Sequence, residues 1–515
     1  MLRSPEFTVV RLSEPVPHHA FAWRWGRPGA MRDLTRARRR ELLCLTAASG
    51  ATANLQVAAR AVGFKPTREV AHAAGKAGQL GSILMLEELG CDVHDAVKGA
   101  AAGGHLVLCG ELLQQRAGDS SPYDAFDCAC EAADGGHVDV VDFMVRRLQI
   151  VGLAGSGLES SLMAHIAGGC ELAALQRYYR ELVPEVFNNA RAFDWEKERI
   201  LGCAASSPTP DWRAKVEWLE AQGFPRVSGV FYGVVERPDA MERLVWLEQR
   251  GYTCDPVYTL GAGIGGNADV VLLLAERQAE DDDDEDADPY TDVASEAAAC
   301  GHLHVLQVLH AAELVFSPGY VIRAAASRGH LHMVAWLFET LGVQLDEELF
   351  EGAAGSGSVQ LMAWLRERGC PWDSRAVTAA ARSGCVAALE WLAERGCPMP
   401  DDGLPYFEAG KSADLATVEC LRRLGCPWGP PGLVLGACIS GGLPGCPYNN
   451  CASGVLPVLS WLLAAGCPVD WPGAVAAAEA ECSRVSDGAG HSPSELRDRR
   501  RVLAWLHFQA SRLQV

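Results

Sequence analysis

Three stretches of the chain decide its fold: Leu331-His332-Met333-Val334-Ala335-Trp336-Leu337, Val359-Gln360-Leu361-Met362-Ala363-Trp364-Leu365 and Val386-Ala387-Ala388-Leu389-Glu390-Trp391-Leu392. They align on their tryptophans, which lie 28 and 27 residues apart. The same step recurs outward. Trp218 and Trp246 are 28 apart, Leu273 follows Trp246 by 27, and Val308 precedes Trp336 by 28. A fixed period in this range marks a repeat array, in which each unit is too small to bury its own apolar face and stacks on copies of itself.

Each unit has one grammar. An alanine-rich stretch opens it, as in Ala324-Ala325-Ala326-Ser327-Arg328-Gly329-His330. Alanine is the strongest helix former, and glycine tolerates the left-handed residue that ends a helix. A second stretch carries apolar residues on one helical face, for example Leu331, Val334, Leu337 and Leu341. Gly-Cys-Pro then stops it at Gly369-Cys370-Pro371, Gly396-Cys397-Pro398, Gly425-Cys426-Pro427 and Gly466-Cys467-Pro468, since proline cannot continue a helix. The unit is helix, turn, helix, loop. No segment sustains a period-two alternation, so the expected class is all-α, a helix-turn-helix solenoid.

The recurring Ala-Ala-x-x-Gly-His resembles the ankyrin repeat. It stands at Ala101–His105, Ala132–His137, Ala298–His302 and Ala325–His330. The resemblance departs from the ankyrin pattern in two ways: the period is often 27 or 28 instead of 33, and the Thr-Pro-Leu-His opening is missing. Finger loops shortened to simple turns are therefore expected. The Gly-Cys-Pro-Trp variants resemble large ankyrin families expanded in green algae. That resemblance implies a binding scaffold or adaptor without catalytic activity. Some relatives of that group resemble F-box proteins in an upstream segment, which implies an alternative role as substrate adaptor of a ubiquitin ligase whose F-box this chain begins too late to hold. A further grouping implies a sphingomyelin phosphodiesterase-related protein.

The expected organisation is a capping segment over residues 1–40, repeats over 41–280, an acidic insertion over 281–290, and repeats over 291–515 with loop insertions near 440–455 and 483–493. Roughly 15 units fit from about residue 41 onward. The run Asp281-Asp282-Asp283-Asp284-Glu285-Asp286-Ala287-Asp288 stretches one spacing to 35 residues and reads as a solvated loop. It lacks the glycine and closing glutamate of a calcium loop.

Composition narrows the function. The 515 residues carry 65 acidic and 45 basic side chains, a net charge of −20. Nucleic-acid binding needs a basic face to displace counterions, so no nucleic-acid partner is expected. No apolar run long enough to span a bilayer is present. The 19 cysteines suit a reducing compartment, which places the chain in the cytoplasm, with the nucleus as second location. The recurring Cys370, Cys397 and Cys426 read as buried apolar side chains, since packed helices sit too far apart for a disulfide ladder. Cys438, Cys446 and Cys451 lack metal-ligand pairing, and no metal or cofactor is expected. His105, His137, His302 and His330 each open a second helix and read as a repeat feature. Gly261-Ala262-Gly263-Ile264-Gly265-Gly266 falls where a junction between two helices is due and reads as that junction, because a phosphate cradle would follow a strand. The arginine cluster Arg32, Arg36, Arg38, Arg39 and Arg40 reads as a polar cap, with nuclear import, nucleic acid or an acidic partner as alternatives. Trp336, Trp364 and Trp391 read as packing between repeats. The candidate partner-binding residues are Trp372, Met399 and Trp428, which follow Gly-Cys-Pro, because exposed side chains of this kind anchor partners. Protein partners and a monomeric chain are expected.

Overall fold

A computed structural model describes residues 11–115, 122–150, 158–186, 194–281, 290–440, 455–487 and 493–513. The described residues form helices and turns, with no strand among them. The chain is an all-α helix-turn-helix repeat solenoid. After a lone helix His18–Trp25, helices follow in pairs from Arg36–Ala48 and Thr52–Ala61 to Trp471–Asp487 and Pro493–Leu513. One pair opens with a short 3-10 turn, Ser228–Phe231, in place of a full first helix. The chain divides into two compact units, one of residues 1–96 with 345–515 and one of residues 97–344.

The local logic is the one the repeat grammar dictates. In Thr291–Cys300 the residues Val293, Ala294, Ala297 and Ala298 are buried, and Gly301 closes the helix at φ +88°. His302 N–H then reaches back to the Ala297 carbonyl at 2.9 Å and Gly301 N–H to Ala298, satisfying carbonyls the helix end would orphan. The second helix Leu303–Ala311 buries Val305, Leu306 and Leu309.

Within each unit the first helices stack most closely on one another, as in Leu158–Gly169 on Asp194–Ala205, or Glu347–Ser356 on Arg375–Ser383. The second helices touch less. Alanine is the reason: Ala353, Ala354, Ala379 and Ala380 are buried between first helices, where larger side chains would hold the backbones apart. The leucines of the second helices, Leu337, Leu365 and Leu392 among them, fill the wedge behind.

The Gly-rich stretch departs from its expectation as a junction. Thr259–Gly265 is itself a first helix, and only Gly266, at φ +73°, makes the turn. No strand precedes it among the described residues. The Ser/Asp/Gly-rich stretch from Ser483 likewise begins inside the helix Trp471–Asp487. The acidic run from Asp282 to Asp288, and Cys446 with Cys451, lie outside the described residues.

Candidate interaction surface

The Gly-His signature has a physical cause. His302 donates from Nε2 to the Ile264 carbonyl of the preceding repeat at 3.0 Å, and its ring covers Gly266. His330 does the same to Ala299 at 3.2 Å over Gly301, and the His137 ring covers Gly104. A Cβ on Gly104 would sit 2.4 Å from that ring, so the glycine is needed for contact as well as for its positive φ. Other residues fill the same position. Asn267 donates to the Val235 and Arg237 carbonyls, Ser207 to Gly168, and the Cys170 thiol to Ala133. At these five positions a polar side chain ties the start of a second helix to the previous repeat, as the rungs of a polar ladder. His330→Ala would strip the Ala299 carbonyl of its donor and is expected to cost about 1–3 kcal/mol. His330→Asn should recover part of it, following Asn267. Urea unfolding of the full chain with each substitution measures the difference, and equal midpoints for Ala and Asn would remove the hydrogen bond from the argument.

The Gly-Cys-Pro motif builds a second ladder on the other side. The Cys370 thiol donates to the Asp346 carbonyl at 3.3 Å, Cys397 to Asp373 at 3.4 Å, and Cys91 to Thr67 at 3.4 Å. The described cysteines are all free thiols. Burial pushes the Cys370 and Cys426 thiols up to about 12 and Cys397 up to about 11. Thiolate is the reactive form, so these positions are poor nucleophiles. Iodoacetamide at pH 8 is expected to alkylate the exposed Cys300 before any of these three, as read by peptide mass spectrometry. Rapid native labelling of Cys397 would show that the second ladder opens.

The arginine cluster is taken up inside the unit of residues 1–96 and 345–515. Arg39, 2% exposed, places Nη1 3.0 Å from Asp414 Oδ1 and Nη2 2.5 Å from Oδ2. Its Nη2 also donates to the Gly384 carbonyl at 2.9 Å, and its Nη1 to the Val62 carbonyl. Asp414 opens the helix Leu415–Arg423 and accepts from the Thr417 hydroxyl at 2.8 Å. Around this pair the N-terminal segment crosses successive turns between first and second helices. Ala387 N–H donates to Arg32 O at 2.9 Å, and Leu415 N–H to Gly63 O at 3.0 Å. Arg32 lies 3.2 Å from Glu390, Arg40 pairs with Glu69, and Arg38 pairs with Glu41. Sequence reasoning missed this clasp, whose partners are 375 residues apart.

Trp372, Met399 and Trp428 are all half-buried. The Trp372 ring meets Phe350 edge-on at 5.3 Å and Trp391 at 6.1 Å, with the Arg366 guanidinium 4.1 Å from its centroid. Trp428 stacks on the fully buried Tyr406 at 4.2 Å. Both rings therefore serve packing within their unit. Of the three second-helix tryptophans, Trp391 is buried, while Trp336 and Trp364 are half-buried, and the guanidinium of Arg368 sits 3.8 Å over Trp364.

In the unit of residues 97–344 a cavity of about 360 Å³ opens between the first helices Leu158–Gly169 and Asp194–Ala205. His165, 2.9 Å from both oxygens of Asp134, forms one wall, and Arg199, Cys203, Ser206 and Ser207 contribute the other. Behind it the buried Lys215 donates to the Ala167 carbonyl and to Ser207 Oγ, each at 2.9 Å. Burial pulls the Lys215 ammonium below its ordinary value, partly opposed by Asp211. The cavity offers the Arg199 guanidinium, the Asp134 carboxylate and the Ser206 and Ser207 hydroxyls, and burial pushes its thiol, Cys203, up from the ordinary value. No group of three or more His, Cys, Asp or Glu among the described residues is placed to hold a metal ion. No described helix is long and apolar enough to cross a membrane.

No family model matches the chain, and no curated protein matches it. Solved structures do. The maize pentatricopeptide repeat protein PPR10 is 11% identical, with 91% of this chain and 74% of that one covered and a TM-score of 0.28. PPR10 in complex with an 18-nucleotide psaJ RNA element is 14% identical, with 92% and 75% covered and a TM-score of 0.29. A triple cysteine-to-serine PPR10 with the same RNA element is 13% identical, with 97% and 88% covered and a TM-score of 0.27. The likeness is that of arrays of helix pairs. It corrects one expectation. Net charge led to the reading that no nucleic acid binds, yet two of these helical-repeat structures hold RNA. A negative total charge on such an array is no ground for excluding nucleic acid, because binding depends on the local face.

Proposed function

We propose that the chain is a non-catalytic, monomeric scaffold of ankyrin type that binds protein through its row of first helices, in the cytoplasm or the nucleus. One observation carries this reading. Along the first elements of the repeats between residues 194 and 327, large aromatics stand largely in solvent: Trp195 is 58% exposed, Tyr232, just after the 3-10 turn Ser228–Phe231, 75% and Tyr320 65%. Large exposed aromatics on a rigid stack are where binding energy concentrates. The ladders described above support rigidity, which lowers the ordering cost of binding. Trp372, Met399 and Trp428 belong to the proposal only through their half-exposed faces. The test is affinity purification of the full chain with and without nuclease, followed by mass spectrometry and RNA quantification. A stoichiometric protein partner that survives nuclease is the expected result. Recovery of RNA alone, or of nothing above background, overturns the reading.

A further inference from the structure

Counting back from the residue that opens each second helix reveals what the row of first helices offers. Those opening residues are Asp239, Asn267, His302 and His330. Seven places before them stand Tyr232 and Leu260, and ten places before them Val257, Asp292 and Tyr320. Positions three apart on a helix share a face. Equivalent positions form a strip along the helices Thr259–Gly265, Thr291–Cys300 and Pro318–Ser327, which pack in sequence. Val257 lies in the 3-10 turn Pro256–Tyr258 just before the first of them, and Tyr232 follows the 3-10 turn Ser228–Phe231, whose Phe231 ring is 6.3 Å from that of Tyr258. The strip is apolar at one end, where Tyr232 is 75%, Val257 70% and Leu260 39% exposed, and again at Tyr320, 65% exposed. Between and beside these lie the exposed carboxylates of Glu236, Asp255, Asp292 and Glu296. Arg323 is the strip's single cation among the described residues, and it is half-buried.

We infer that this strip, Tyr232–Val257–Leu260–Tyr320 with its carboxylate rim, docks a basic peptide segment in which apolar anchor residues alternate with lysine or arginine. The inference rests on the scaffold reading and names its surface and partner chemistry. Apolar anchors leave water on Tyr232 and Leu260, while cations on the flanks meet Glu236, Asp292 and Glu296. Carboxylates on the rim of an apolar patch set partner choice and association rate more than they add affinity. An RNA backbone would face the same carboxylates and be repelled.

The test selects random 12-residue peptides on the full chain, with the double variant Tyr232→Ser/Leu260→Ser as counter-target. All the altered positions are exposed, and circular dichroism and melting confirm the fold of each variant. Enriched peptides should pair Leu, Ile, Phe or Trp with Lys or Arg. Their Kd should rise at least tenfold on the double variant and on Glu236→Lys/Asp292→Lys/Glu296→Lys, and also with salt. Selection of acidic or neutral peptides, equal binding to the variants, or displacement of the peptide by an 18-nucleotide single-stranded RNA overturns the inference. A protein partner co-purifying equally with wild type and the double variant sinks this surface and leaves the scaffold standing. Absence of any partner fails both.

Discussion

Asp414→Ala is expected to destabilise the unit of residues 1–96 and 345–515 by about 3–5 kcal/mol, the usual cost of stripping one member from a buried ion pair. The residue left behind is the reason. Arg39 is 2% exposed and cannot lose its proton, so without the carboxylate its guanidinium is a desolvated charge with two carbonyls for company. The substitution also removes the cap of the helix Leu415–Arg423. Arg39→Met/Asp414→Leu removes both charges and should recover most of the loss, because apolar replacement of a buried pair is close to neutral. Arg39→Lys with Asp414 in place should itself be destabilising, since an ammonium cannot reach both Asp414 oxygens and the Gly384 carbonyl from one position. Repeat arrays unfold locally, so the measurement is hydrogen exchange of the backbone over residues 31–64 and 384–416. Loss of protection in both segments together is expected. Unchanged protection over 31–64 in the Asp414→Ala chain would mean that the clasp is held by the backbone bonds at Arg32 and Gly63 alone. Raising the salt separates the buried pair from its neighbours. Screening should weaken the half-exposed Arg32–Glu390 pair and leave Arg39–Asp414 almost untouched.

That clasp also marks the limit of what periodicity reveals. The tryptophan spacing, the alanine-rich first helices and the Gly stops are local features, each fixed within one unit, and they lead directly to a stack of helix pairs. The histidines of Gly-His were legible as a repeat feature, but their hydrogen bond to the previous repeat was not, because it depends on how neighbours stack. Arg39 and Asp414 lie beyond any period. One signal was present. The turns Ser356-Gly357-Ser358 and Ser383-Gly384-Cys385 are answered at the next repeat by Ser412-Ala413-Asp414. Alanine there adopts φ +49° where its sisters have glycine. Asp stands where Asn267, His302 and His330 each donate to the preceding repeat, as it also does at Asp239. An acceptor in a donor's place calls for a cation: Asp239 finds Arg243 four residues on, whereas Asp414 has Val418 there, and a dense arginine cluster stands at residues 32–40. The exposed strip on the first helices was illegible for the opposite reason. Tyr232, Val257, Leu260 and Tyr320 follow no motif, and in sequence an apolar residue on a helix reads as core until the helix packing shows which face is left in water.

Trp372→Ala is expected to lower the stability of the same unit by about 2–4 kcal/mol, below the 3–5 kcal/mol of a fully buried aromatic because the ring is half-exposed. Its ring closes a gap between the first helix of its own repeat, through Phe350, and the second helix of the next, through Trp391. Edge-on aromatic pairs add about 0.5–1.5 kcal/mol beyond the area they bury, and the guanidinium of Arg366 covers the face left open. Trp372→Phe keeps an aromatic surface and should retain about half the loss. The substitution decides between two roles for the residues after Gly-Cys-Pro. If packing is the role, hydrogen exchange quickens in Glu347–Ser356 and Val386–Glu394 and partner affinity falls only as the fold loosens. If anchoring is the role, exchange stays as in wild type while affinity drops tenfold or more. Met399 stands at the equivalent position one repeat later, and it carries no aromatic ring with which to make the same edge-on contacts. Met399→Ala should therefore cost less than Trp372→Ala, and an equal or greater cost would show that the turn is held by something other than its rings.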